Sequence, residues 1–194
     1  MPLEHVLSDI SACRACVGVL PHEPRPVVRV RSETRLLICG QAPGRRVHES
    51  GLPFDDRSGD VLRGWMGIDR QTFYDHPAIG VAGMAFCFPG TNPKGGDYPP
   101  PPLCAEVWRR PLLAALPQVE LTLLVGSYAQ RWSLPRARAR SMTDTVAGWR
   151  AHLPDVIPLP HPSWRNTGWV MRNPWFAEEV LPCLRARVAE LLAA

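Results

Sequence analysis

Leu36-Leu37-Ile38-Cys39 runs without a break into Gly40-Gln41-Ala42-Pro43-Gly44. A short, continuous apolar run closed by a glycine is the pattern of a strand buried on both faces. Such strands belong to parallel sheets covered by helices. The loop that follows has glycine at both borders, so its backbone can approach a ligand closely, and Pro43 stiffens the path between them. In an open α/β sheet, ligands bind just beyond the carboxyl ends of the strands. The pattern recurs far downstream, where Val156-Ile157-Pro158-Leu159 leads into Pro160-His161-Pro162-Ser163. One loop rich in backbone donors and one carrying an imidazole could close on a flat polar ligand.

Spacing along the rest of the chain alternates between helix and strand. Val6, Leu7, Ile10 and Ala12 suit a helix from Glu4 to Cys13, and Pro21, Pro24 and Pro26 mark an extended stretch after it. Ser58 to Trp65 has Val61, Leu62 and Trp65 on one helical face. Ala78 to Phe88 reads as a strand entering the loop that carries Cys87, and Pro99 to Pro102 excludes regular structure. Ala105 to Leu116 returns to helical spacing, Leu121 to Val125 is a strand, and Gly126-Ser127-Tyr128-Ala129 opens a helix toward Trp132. Arg136, Arg138 and Arg140 fall in an exposed loop, and Pro174 to Leu192 forms a long helix with Pro182 as a kink point. Strands alternating with helices predict a three-layer α/β/α sandwich around a mostly parallel sheet. With 194 residues and 45% hydrophobic content, the expectation is one domain over residues 1–194.

No apolar stretch reaches membrane-spanning length and no secretion signal is evident, so a cytoplasmic, soluble, monomeric protein is expected. The net charge of +4 is modest, but Lys94 is the only lysine among 22 basic residues. Arginine suits bidentate phosphate contact and stacking on bases, so the composition permits nucleic-acid binding without requiring it. Cys13 and Cys16 form a Cys-x-x-Cys pair, and Cys87 and Cys104 flank a segment rich in proline and glycine. In a reducing compartment, paired cysteines point to metal or redox chemistry, and four thiolates can hold zinc or an iron–sulfur cluster. A thioredoxin-type role fits poorly, because no strand precedes Cys13.

In this order, Cys13 and Cys16, Gly40-Gln41-Ala42-Pro43-Gly44, Gly51-Leu52-Pro53-Phe54, Cys87 with Cys104, and His161-Pro162-Ser163 resemble the uracil-DNA glycosylase superfamily, specifically its iron–sulfur branch (family 4). The resemblance implies a four-stranded parallel sheet between helices, a [4Fe-4S] cluster on the four cysteines and excision of uracil from DNA. Two departures stand out. Gln41 occupies a position that is usually acidic in that branch, and Val81-Ala82-Gly83-Met84 lacks the asparagine that reads the base edge.

The chemistry assigns roles to particular residues. The backbone at Gly40, Gln41 and Ala42 would bind pyrimidine oxygens, with the Gln41 amide as donor and acceptor. Phe54 is the stacking candidate that the resemblance supports. His161 would donate to the departing base, and Glu49, with His48 second, would activate water. Ser163, Trp164 and Arg165 follow the histidine as a DNA-contacting segment, since aromatics interleaved with arginine can wedge a duplex and clamp phosphates. The expected activity is a monofunctional DNA glycosylase acting on DNA that contains uracil or a damaged base. A non-catalytic lesion-binding relative and a hydrolase of free nucleosides stay open, as does zinc in place of the cluster.

Overall fold

The structure, a computed structural model, describes residues 1–134 and 141–193. Arg136, Arg138 and Arg140 lie outside the described residues. Four strands, β1 (Leu36–Cys39), β2 (Ile79–Val81), β3 (Leu121–Val125) and β4 (Val156–Leu159), form one sheet in the order β2-β1-β3-β4. Every pairing is parallel: Leu36 lies opposite Ile79 and Leu121, and Thr122 lies opposite Val156. Parallel neighbours need crossover connections, and helices supply them. The crossovers are α2 (Arg45–Ser50), α3 (Arg57–Met66) and α4 (Arg70–Asp75) between β1 and β2, α5 (Pro102–Ala114) between β2 and β3, and α6 (Ser127–Ser133) and α7 (Met142–Ala147) between β3 and β4. Helix α1 (Leu3–Ser11) precedes the sheet, and α8 (Thr167–Arg172) and α9 (Leu181–Ala193) follow it.

The three layers follow from the two-residue period of a strand. Leu36 and Ile38 face a core built from Leu62 and Met66 of α3, Phe73 of α4, and Leu184, Val188 and Leu191 of α9. Leu37 turns to the other side, against Val6 and Ile10 of α1 and Leu112 of α5, while Cys39 packs there against Ala105 and Ala129. All four β1 residues are buried, as the unbroken apolar run requires. The predicted α/β/α sandwich is the observed architecture.

Several elements differ in extent. The strand expected from Ala78 to Phe88 pairs only at Ile79–Val81. Beyond it the chain leaves the extended ladder, yet still donates from Ala82, Met84 and Ala85 to Ile38, Gly40 and Gln41. The proline run ends inside α5, because Pro102 occupies its first turn, where a missing N–H costs nothing. The long carboxyl-terminal helix contains a π-helical turn, Phe176–Val180, just before α9. Pro182 cannot donate and its ring crowds the carbonyl four residues back, at Glu178, so the turn widens there.

Candidate active site

The connection after β1 runs to β2 on one side and the connection after β3 runs to β4 on the other, which opens a crevice at the carboxyl ends of these two central strands. A cavity of about 510 Å³, counting its open mouth, occupies that place. Gly40 to Gly44 line it from β1, Val81 and Gly83 from β2, and His161 from the loop after β4, with Pro53, Phe54, Asp56 and Ser58 closing another wall. Gly126, after β3, backs the histidine: a Cβ there would stand 3.5 Å from the His161 Cβ. The two loops that define the sequence pattern therefore face one space. Among the described residues, the N–H groups of Gln41, Ala42 and Gly83 carry no intramolecular hydrogen bond, whereas those of Met84 and Ala85 are paired with the β1 loop.

Phe54 is held by an unusual backbone. It is the one non-glycine residue among those described with a positive φ, at 56°, a conformation that disfavours a bulky side chain. Two buried side chains hold the carbonyls around it. The Tyr74 hydroxyl donates to the Pro53 carbonyl at 2.9 Å, and Arg63 Nη1 donates to the Phe54 carbonyl at 3.2 Å. Arg63 is itself paired with Asp60 at 2.6 Å. Gly59 leaves room for this arrangement, since a Cβ there would fall 1.8 Å from the Phe54 oxygen. The ring lies against the Gly40 backbone, where a Cβ would come within 3.2 Å of it. The result is an aromatic wall packed on the glycine floor.

His161 stands partly buried at the cavity, and Asn166 fixes its loop by donating to the His161 carbonyl at 2.7 Å. Burial holds its imidazole below the usual range, and the nearby Asp56 carboxylate pulls weakly the other way. The ring is neutral at pH 7, able to donate from one nitrogen without carrying charge. Asp56 caps α3, accepting from the Gly59 amide at 2.8 Å through one oxygen.

Glu49 is not brought to this cavity. It lies exposed on α2, whose inward residue is Val47. Two residues along a helix is a rotation of about 200°, so Glu49 points away when Val47 points in. His48, the second candidate, packs against His22 with ring centroids 4.3 Å apart and does not line the cavity. The carboxylate the cavity does contain, Asp56, was missed by sequence reasoning. Its signal was an aspartate two residues after Phe54, placed to cap the helix that begins at Arg57.

An outer cavity shares Gln41 to Gly44, Asp56 and His161 with the inner one, and adds Ser163, Trp164, Arg165 and Asn166. Trp164 is 80% exposed. The Arg165 guanidinium lies over Gly96, where a Cβ would come within 2.6 Å of it. Gly96 and Asp97 also line this space, so the proline- and glycine-rich segment between Cys87 and Cys104 borders the mouth of the site. A family profile for the uracil DNA glycosylase superfamily matches residues 28–185.

The chain belongs to the uracil DNA glycosylase superfamily.

A solution structure from Methanosarcina acetivorans, provisionally named a uracil DNA glycosylase, aligns with it at 16% identity and a TM-score of 0.46, over 81% of this chain and 93% of that one. Residues 28–185 hold every residue that lines the inner and outer cavities except Val27, which also borders the inner one. Cys13 and Cys16 precede the matched span.

Those two cysteines nonetheless meet Cys87 and Cys104 in a second cavity, walled by Pro24, Pro26, Leu103 and Trp108. None of the four is in a disulfide. Trp108 Nε1 donates to Cys13 Sγ and the Phe86 amide to Cys104 Sγ, each at 3.4 Å. Burial and the other cysteines push Cys87 up to about 11 and Cys104 up to about 12. Among the described residues, no three His, Cys, Asp or Glu side chains converge as a ready-made single-ion site. The donor set is of the right kind for an iron–sulfur cluster or zinc, and it is gathered in one cavity.

Proposed function

We propose that this member of the superfamily is a monofunctional DNA glycosylase that hydrolyses the N-glycosidic bond of uracil or a related damaged base in DNA. The observation that carries the reading is the shared cavity: free strand-end amides, the Phe54 ring and the His161 imidazole surround a single space. Extruding a nucleotide costs a few kcal/mol, least where the base is damaged or mispaired. Trp164 and Arg165, at the outer cavity, would offset that cost by wedging the duplex and holding a flanking phosphate.

The extruded base would stack on Phe54 and lay its polar edge on the amides of Gln41, Ala42 and Gly83. As the bond to the sugar lengthens, its electron pair leaves with the base. Neutral His161 would donate to the base oxygen where that charge collects. The sugar, left cationic, is attacked by water. Asp56, rather than Glu49, would orient that water and take its proton, because it is the carboxylate on the cavity wall. An amine nucleophile is not at hand: Lys94, the only lysine, lines neither cavity.

Cys13, Cys16, Cys87 and Cys104 would hold a [4Fe-4S] cluster, with zinc as the alternative. When bound, it would cross-link the amino-terminal segment to the loop before α5 and thereby brace the wall that carries Gly96 and Asp97. Incubation with uracil-containing single- and double-stranded DNA, and then with free deoxyuridine, tests the reading. Free uracil should appear from DNA, with strand breaks only after alkali or heat. Binding without release, or turnover of the nucleoside alone, would overturn it.

A further inference from the structure

Arg109, on α5, is 1% exposed and has no carboxylate within ion-pair distance among the described residues. Among the described residues, its only hydrogen bond runs from Nη1 to the Ala82 carbonyl at 3.0 Å and its buried Nε has no partner; its Cζ stands 5.3 Å from the Trp132 ring centroid. An unpaired buried guanidinium is expensive, and packing alone would be served better by an apolar side chain of similar volume. Its position is therefore informative.

The carbonyl that Arg109 grips belongs to the Ala82–Gly83 peptide. In a planar trans peptide the C=O and N–H point in opposite directions. With the oxygen turned toward Arg109, the Gly83 N–H turns away from it, and Gly83 lines the inner cavity. That N–H has no intramolecular acceptor among the described residues. A cation on the oxygen side polarises the peptide and strengthens the donor on the far side. The charge is also directed at the sheet rather than at the cysteine cavity. Although Arg109 shares α5 with Cys104, it is the buried Cys39 thiol, beside Gly40, whose burial-driven rise it opposes.

We propose that Arg109 is a positioning residue for base release: through the Ala82–Gly83 peptide it aims a polarised N–H at the base cavity, and its uncompensated charge makes that cavity favour an anionic ring over a neutral one. This rests on the glycosylase reading and adds to it a preference for bases that leave readily as anions. It also supplies an edge contact where the chain has Gly83 and no amide side chain. Gly83 is needed for the geometry, since a Cβ there would lie 2.9 Å from the Ala85 oxygen.

The test uses R109M, which keeps the volume and removes the charge, and R109K, which keeps the charge on a different donor. Single-turnover release of uracil from DNA is measured beside the binding of two free rings at neutral pH, uracil and the anionic 5-nitrouracil. R109M should release uracil about 10- to 100-fold more slowly with DNA affinity little changed, and should lose the wild-type preference for the anionic ring. R109K should recover part of both, which simple loss of packing would not allow. Should R109M fail to fold, R109Q, which also removes the charge, takes its place: a folded R109Q with the rate and ring preference of wild type overturns the proposal. So does a folded R109M that keeps both. If the wild type binds the rings but releases no base, the enzymatic reading falls, and the ring preference of R109M still decides the role of Arg109. If the wild type binds neither ring, both fall.

Discussion

Phe54 and His161 reach the same cavity by different means, and each can be tested by a single substitution. Phe54 depends on a left-handed backbone that Gly59 permits. G59A puts a methyl into the Phe54 carbonyl, so it should destabilise the fold by at least about 2 kcal/mol in denaturant titration. A milder change, F54L, should leave stability close to wild type and weaken binding of the free base. His161 is kept neutral by burial, so its folded pKa lies below its unfolded value. The unfolded chain takes up a proton first as the pH falls. Stability is therefore full above about pH 6.5 and declines as the pH drops through that value toward the lower folded one. H161N should flatten this slope in melting curves taken between about pH 7.5 and pH 5.5, and should slow base release by about 100- to 1,000-fold at neutral pH.

Two adjacent helices divide the acidic residues between solvent and site. α2 is six residues long with Val47 inward, so Glu49 faces out however its charge is read from the sequence. α3 begins at an Asp56 cap whose position at the helix start brings the carboxylate to the cavity. E49Q should release base within about twofold of the wild-type rate. D56N should slow release at least about 100-fold with little loss of stability, because asparagine caps a helix about as well as aspartate. Equal losses in both variants would show that neither carboxylate is special. Sequence spacing does not show which way Glu49 points, and the reason is local. An isolated six-residue helix has no periodicity long enough to announce which side it buries, whereas α3, with Leu62 and Met66 one turn apart, does.

At the scale of the whole molecule, the cysteine cavity and the outer cavity with the exposed Trp164 have no lining residue in common. The proline- and glycine-rich segment spans from the cysteines to the outer cavity. Protein purified without oxygen should carry iron and acid-labile sulfide; C104S should lose both and melt about 5–10 °C lower, as the loss of a cross-link implies. Zinc in place of iron and sulfide would assign the cavity to the alternative metal. The chain's own order of residues was enough to determine the layers of the sandwich, the four strands and the two loops at their carboxyl ends. A buried parallel strand and a glycine border are local patterns whose physical causes act over a few residues. Tertiary structure alone decided which carboxylate lines the cavity, how the Phe54 carbonyl is held, and that Arg109 is buried behind Ala82. Each of those depends on contacts between elements distant along the chain, where helix rotation and side-chain burial are set by packing and leave no spacing to read.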